Sequence, residues 1–203
     1  ALPIYVGRGD YAAARADYQR SHELLARAYG PDDRRVGQAL INLAVVEVGT
    51  DHDADALPLY GRAIALLGHA LGDHHPELAR ALNNRAVPLV NLGRLDEARA
   101  DLGRALAIRR EVLGPDDRDT IDSLLLAAEV EHAAGHREAA LAQFRAVLAA
   151  RVRRERADHP LVATAHSGVG RALVELGRHA EAIAELELAL WLWDGYQLAG
   201  GEQ

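Results

Sequence analysis

The feature that most constrains the fold of this chain is a repeat of 42 residues. Glycine recurs at this interval in two series, which are Gly30, Gly72 and Gly114, and Gly93, Gly135 and Gly177. Alanine fills another column in five copies, at Ala14, Ala56, Ala98, Ala140 and Ala182. Four residues after each alanine stands a large side chain, in the order Tyr18, Tyr60, Leu102, Phe144 and Leu186. Such regularity predicts an array of similar units.

Each unit is interpreted as two antiparallel helices. The small alanine lets two helix backbones approach closely, and the large residue one turn later fills the space beside it. The glycines at 93, 135 and 177 are predicted to end the first helix of a unit in a left-handed conformation, which costs little without a Cβ atom. Pro76 and Pro160 suit the first turn of a helix, where no N–H partner is needed. Alanine and leucine dominate, so we expect an all-α chain.

Three short segments point to a known family. Gly72–Pro76 reads G-D-H-H-P, Leu82–Ala86 reads L-N-N-R-A, and Leu40–Ala44 reads L-I-N-L-A. They resemble the G-x-x-H-P and L-x-N-L-A segments of tetratricopeptide repeats of the 42-residue kinesin-light-chain-like type. The resemblance implies a right-handed α–α superhelix of about four full helix pairs plus a partial N-terminal unit. It also implies a scaffold that binds proteins, not an enzyme.

The repeat divides the chain into a single array over residues 1–194 and a tail over 195–203. The expected units are 1–30 (partial), 31–72, 73–114, 115–156 and 157–194. Residues 1–7 are expected to end a first helix, with Tyr5 in an aromatic column, so the chain opens halfway through a unit. Helices are predicted over 11–29, 33–49, 53–70, 75–91, 95–113, 117–133, 137–155, 159–176 and 179–194.

Composition narrows the classes of function. The chain has no cysteine, which excludes disulfides, thiolate metal sites and cysteine nucleophiles. A net charge of −7 argues against nucleic acid or an anionic membrane as partner. No signal peptide is visible, so a cytoplasmic location is expected. Methionine is absent, which favours a piece of a longer protein, and all 23 basic residues are arginine, which favours a GC-rich bacterial genome. The resemblance to 42-residue arrays that are often attached to bacterial signalling proteins implies a signalling or regulatory parent.

The resemblance places the ligand, a peptide or protein segment, in a concave groove along outward positions of the first helices. Carried over by column, the groove candidates are Gln38, Ile41, Asn42, Val45, Arg80, Asn83, Asn84, Val87, Asn91, Asp122, Leu125, Glu129, His132, Thr164, Ser167, Arg171 and Glu175. Asn42 and Asn84 stand one repeat apart, and each amide offers a donor and an acceptor for the main chain of an extended peptide. An acidic or amide-rich segment is expected near Arg80 and a basic residue near Glu129.

Three clusters are weaker candidates for chemistry. They are Asp51, Asp53 and Asp55; His69, His74 and His75 with Asp73; and Asp122, Glu129 and His132. The first resembles a calcium loop, but Ala56 and Arg62 replace its glycine and its final glutamate. The second lies in a turn whose Asp-His-Pro sequence recurs at 158–160. The third lacks a recognisable nucleophile. We therefore expect no metal, no cofactor and no catalytic residue.

Three residues depart from the pattern of the repeat. Arg85 and His166 occupy columns that are apolar in the other units, and Pro88 interrupts a predicted helix. Locally unfavourable residues tend to collect at functional sites. Two alternatives to a peptide scaffold stay open: a small-molecule sensor with a compact pocket near Arg85 and His132, and a homo-oligomer that self-associates through residues 1–30.

Overall fold

The structure, a computed structural model, describes residues 11–156 and 158–200, with the side chains of 197–200 left aside. These residues form helices joined by short turns and contain no strand. The helices are α1 Tyr11–Tyr29, α2 Arg34–Gly49, α3 Asp53–Leu71, α4 Pro76–Asn91, α5 Leu95–Val112, α6 Arg118–Ala133, α7 Arg137–Arg154, α8 Pro160–Glu175 and α9 His179–Gly200. The predictions for residues 1–10, including Tyr5, and for 201–203 lie outside the described residues.

The all-α prediction is confirmed, and the first eight helices match the predicted limits closely. The last helix differs, because α9 continues to Gly200 where a tail was expected from Gly195. A single interior glycine costs a helix only about 1 kcal/mol relative to alanine. Since no proline follows it, Gly195 does not stop the helix.

The first helix of each full unit starts at an equivalent cap. The capping residues are 42 positions apart and are Asp33, His75, Asp117 and His159. Each side chain accepts a hydrogen bond from the backbone N–H two residues later, at 2.8 to 3.1 Å. Such bonds satisfy one of the free donors at a helix start. The interpretation of Asp-His-Pro as a turn of the repeat is therefore confirmed.

Glycine ends three of these first helices, as the sequence predicts. Gly93, Gly135 and Gly177 have φ angles of 72°, 75° and 71°. An L-residue with a Cβ atom rarely adopts this conformation. The distance from each cap to its glycine, as from His75 to Gly93, therefore sets the length of a first helix.

The chain divides into two compact units, Ala1–Ile108 and Arg109–Gln203, which we call unit 1 and unit 2. In unit 1 the core between α2, α3 and α4 includes Ile41, Tyr60 and Leu82, which are fully buried. In unit 2 Phe144 and Leu173 occupy the core between α7, α8 and neighbouring helices. The alanine column is buried in all five copies, as close helix packing requires.

Two of the departures from the repeat are paired inside their own units. In unit 1 the guanidinium of Arg85 donates two hydrogen bonds of 2.6 Å to the carboxylate of Asp101, which is 5% exposed. In unit 2 Nδ1 of His166 lies 2.6 Å from Oε2 of Glu185. Buried charged groups persist when they are paired and hydrogen-bonded. Both departures therefore have an acidic partner on the second helix of the same repeat.

Candidate functional site

The first helices α2 and α4 enclose a cavity in unit 1, which we call the unit 1 cleft. Its volume is about 650 Å³. It is lined by Gln38, Asn42, Val45, Val48, Tyr60, Arg80, Asn84 and Val87. Six of these residues form three pairs one repeat apart, namely Gln38 with Arg80, Asn42 with Asn84, and Val45 with Val87. The repetition of one helix surface therefore builds this cleft.

Amide groups dominate the polar lining of the unit 1 cleft. Arg80 donates a hydrogen bond to Oε1 of Gln38. The side-chain nitrogen of Gln38 lies 3.4 Å from Oδ1 of Asn42. Asn84 forms no side-chain hydrogen bond with another described residue. Pro88 has no N–H to donate to the Asn84 carbonyl oxygen, so the usual bond between residues four apart in the helix is missing there.

Tyr60 forms the floor of the unit 1 cleft. Its side chain reaches from α3 and is almost fully buried. Burial raises the pKa of the Tyr60 hydroxyl above its ordinary range, and the nearby Arg80 lowers it by a smaller amount. The phenol is therefore neutral at physiological pH. Arg80 is then the charged group among the described residues of this cleft.

A second cavity lies against α6 and α8 in unit 2, and we call it the unit 2 cleft. Its volume is about 560 Å³. It is lined by Leu125, Glu129, Thr164, Ser167, Gly168, Arg171, Val174, Glu175 and Leu186. Arg171 donates to Oε1 of Glu129 at 2.6 Å, and its guanidinium carbon lies 5.5 Å from the centroid of the Phe144 ring.

Gly168 distinguishes the unit 2 cleft from its counterpart. It belongs to the column that holds Asn42 and Asn84 in unit 1. A Cβ atom at Gly168 would lie 2.7 Å from Cδ1 of Phe144. The aromatic core side chain thus occupies the space beside α8 that a side chain at 168 would need. No amide can stand at this point without displacing Phe144.

The structure brings together twelve of the groove candidates, in two groups. Gln38, Asn42, Arg80, Asn84 and Val87 line the unit 1 cleft, and Leu125, Glu129, Ser167 and Arg171 line the unit 2 cleft. Val45, Thr164 and Glu175 also line these clefts.

Five other candidates line neither cleft. The assignment of Ile41 to the groove is wrong, because its side chain is 0% exposed and packs in the core of unit 1. Consecutive residues of a helix point about 100° apart, so Asn42 and Ile41 face different surroundings. Asn83 is half-buried on α4. Asn91 is exposed and donates to Oδ1 of Asp53 at 3.2 Å.

Asp122 and His132 have partners of their own in unit 2. Asp122 accepts a hydrogen bond from Arg151, whose side chain is almost completely buried. His132 packs edge-on against Phe144, with ring centroids 6.3 Å apart. Its Nδ1 atom lies 3.3 Å from Oε2 of Glu175 but outside hydrogen-bond geometry. His132 therefore lies beside Phe144 and Glu175 but does not line the unit 2 cleft.

Sequence reasoning missed five lining residues. They are Val48, Tyr60, Gly168, Val174 and Leu186. Tyr60 and Leu186 share the column of large residues, which was interpreted only as packing. Gly168 shares the column of Asn42 and Asn84, and Val48 and Val174 share the column of His132. The same 42-residue interval could have identified Gly168, Val48 and Val174, had these columns been followed through every unit.

The described residues give three further findings on function. They contain no group of three or more histidine, cysteine, aspartate or glutamate side chains placed to hold a metal ion. No described helix has the length and apolar character required to cross a bilayer. Arg85, bound to Asp101, lines neither cleft.

Comparison with models of known families shows which family the chain belongs to. Models described as Tetratricopeptide repeat match residues 4–69 and 77–151, which is more than half of the chain, and residues 125–196. The chain therefore belongs to the tetratricopeptide repeat family. No curated protein matches the sequence.

Solved structures agree in fold at low sequence identity. The nearly identical TPR-like repeats of a kinesin-light-chain-like protein from Podosopora anserina are 20% identical with a TM-score of 0.85, over 95% of this chain and 92% of that one. YrrB, a TPR protein with an unusual peptide-binding site, is 18% identical with a TM-score of 0.64, over 98% and 86% of the two chains. The Rap conjugation gene regulator of plasmid pLS20, solved with the Phr* peptide, is 17% identical with a TM-score of 0.64, over 95% and 51%. The chain thus shares the fold of these tetratricopeptide repeat structures.

Proposed function

We propose that this chain is a non-enzymatic interaction module that holds an extended peptide or protein segment against its first helices. The observation that carries the proposal is the unit 1 cleft, where Asn42 and Asn84 present amides one repeat apart. An amide can donate to a peptide carbonyl and accept from a peptide N–H. Two such groups bind the main chain of a ligand, so this part of the affinity does not depend on the ligand's sequence.

The apolar walls of the unit 1 cleft support the same proposal. Val45 and Val87 occupy equivalent positions on α2 and α4, and Val87 is 36% exposed. Burial of apolar surface contributes about 25 cal/mol per Å². A peptide held by its main chain can therefore gain affinity from side chains that contact these valines.

The charge of the unit 1 cleft selects among peptides. Arg80 is held by Gln38, and no carboxylate is among the lining residues. An acidic or amide side chain of the ligand is expected to lie against the guanidinium. Charge complementarity of this kind chiefly contributes specificity and association rate.

Similarity to structures of peptide-binding tetratricopeptide proteins supports a peptide or protein as the kind of partner. We further propose that the module belongs to a larger bacterial signalling or regulatory protein of the cytoplasm, as the resemblance of such arrays implies. Detection of the native protein by immunoblot at a mass near 21.9 kDa would contradict that part of the proposal.

The test is a pull-down from a library of random twelve-residue peptides. Wild type is expected to retain a peptide pool, and the Asn42→Ala/Asn84→Ala variant is expected to lose most of it. Loss of two hydrogen bonds at about 1 kcal/mol each corresponds to roughly a thirtyfold weaker affinity. Asn91→Ala is the matched control, because it removes an amide outside the cleft. Equal retention by the double variant and wild type would refute the site.

A further inference from the structure

The unit 2 cleft carries an excess of negative charge. Its charged lining consists of Glu129, Glu175 and Arg171. Arg171 is bound to Glu129 at 2.6 Å, so those two charges compensate each other. The basic group beside Glu175 is His132, whose Nδ1 lies 3.3 Å away without forming a hydrogen bond. No arginine among the described residues pairs with Glu175, so its carboxylate is the negative charge in excess.

The remainder of the unit 2 cleft is largely apolar. Leu125 and Val174 form its walls, and Leu186 from α9 lies at its floor. Val174 is 46% exposed, although it stands on a first helix beside charged neighbours. Gly168 adds no side chain of its own, and the Phe144 ring fills the space beside it. The cavity can therefore receive an aliphatic side chain from outside the protein.

We infer that the unit 2 cleft binds a peptide segment in which an aliphatic side chain stands next to a cationic one. This inference rests on the proposed function, because it takes a peptide as the ligand. The aliphatic group contacts Leu125, Val174 and Leu186 and is removed from water. The cation lies against Glu175, which supplies the complementary charge.

An anionic ligand fits this cleft poorly. It would face both Glu129 and Glu175, and like charges at short distance repel. Arg171 does not offer a free cation, since its guanidinium already donates to Glu129 and lies over the Phe144 ring. The unit 1 cleft has the opposite character, because Arg80 faces no lining carboxylate there. The two clefts therefore select different side chains.

Titration with capped dipeptides tests the inference. The full chain is labelled with ¹⁵N, and chemical shifts are followed during addition of Ac-Leu-Lys-NH₂, Ac-Leu-Glu-NH₂ or Ac-Ala-Lys-NH₂. We expect Ac-Leu-Lys-NH₂ to shift amides of α6 and α8 around Glu129 and Glu175. We expect it to bind about fivefold more tightly than either of the other two. Equal dissociation constants for the three dipeptides, or shifts confined to other helices, would overturn the inference.

The variant Glu175→Gln isolates the charge. It keeps the shape of the side chain and is expected to bring the ratio between Ac-Leu-Lys-NH₂ and Ac-Leu-Glu-NH₂ close to one. Glu187→Gln removes the same charge from α9 outside the cleft and should leave the ratio unchanged. An unchanged ratio in Glu175→Gln would contradict the assignment. The proposed function is judged separately, because Asn42→Ala/Asn84→Ala alters unit 1 and leaves this ratio intact.

Discussion

The clefts of unit 1 and unit 2 both lie against first helices of the repeat, yet their lining side chains differ in chemistry. The unit 1 cleft presents Asn42 and Asn84, whereas Gly168 stands in the same column of the unit 2 cleft. Val45 and Val87 are followed in their column by Glu129 and Arg171. The backbone repeats, and a few side chains in each column decide what each cleft can bind. Fold and specificity are thus encoded at different positions of the same 42 residues.

Removal of an ion pair is expected to change the free energy of unfolding more than any other substitution considered below, and by different amounts in the two units. Arg85→Ala leaves the buried carboxylate of Asp101 without its partner, and we expect it to lower the free energy of unfolding by about 3 kcal/mol. Arg171→Ala breaks a pair whose side chains are 50% and 40% exposed, so about 1 kcal/mol or less is expected. Urea denaturation of both variants measures the difference.

A double variant separates pairing from packing in unit 1. Leu43 and Leu59 hold the positions of Arg85 and Asp101 in the preceding unit. Arg85→Leu/Asp101→Leu should therefore restore stability to within about 1 kcal/mol of wild type, since apolar residues can replace a buried ion pair. A double variant as unstable as Arg85→Ala would show that the pair is not the reason for the loss.

Replacement of a helical glycine by alanine is expected to change the stability of the chain in opposite directions at one site in each unit. Gly168→Ala places a Cβ atom 2.7 Å from Phe144, and overpacking should outweigh the gain in helix propensity, with a net loss of about 1 kcal/mol. Gly61 has no neighbouring atom within 4 Å of such a Cβ. Gly61→Ala should then stabilise the chain by about 0.5–1 kcal/mol. Thermal melting curves that shift in the same direction for both variants would contradict this account.

The floors of the two clefts differ in their response to alkali. Tyr60 in unit 1 has a raised pKa in the folded chain because it is buried, whereas Leu186 in unit 2 does not ionise. A raised pKa favours the folded state below the ordinary tyrosine value of about 10, and that contribution is lost as the pH rises beyond it. Tyr60→Phe should reduce the fall in melting temperature between pH 8 and pH 11. An identical fall in both proteins would argue against a buried phenol.

The smallest expected effect concerns the amides of the unit 1 cleft. Asn42 and Asn84 are only half-buried, and substitutions at such sites usually change stability by less than about 0.5 kcal/mol. Asn42→Ala/Asn84→Ala should therefore unfold at nearly the same urea concentration as wild type. A loss of several kcal/mol would mean that these amides serve the fold, and that a loss of peptide binding reflects unfolding.

The sequence predicts most of this fold because its signals are local. Caps such as Asp33 and His75 and end glycines such as Gly93 act within one turn, so the helix limits follow from short segments. The clefts are harder to predict, since a column fixes which face of a helix a residue occupies but not its partner. Asp122 shows this, because its bond to Arg151 joins residues far apart in the sequence. Nothing in the sequence near Asp122 indicates that the side chain of Arg151 lies beside it.

The central claim is that the unit 1 cleft holds a ligand by its main chain. A crystal structure of the chain with a peptide enriched from the library tests this most directly. We predict that the side-chain amides of Asn42 and Asn84 lie within hydrogen-bond distance of backbone N–H and C=O groups of the peptide, with Arg80 beside an acidic or amide side chain. A peptide bound elsewhere, or one that contacts Asn42 and Asn84 through side chains alone, would contradict the claim.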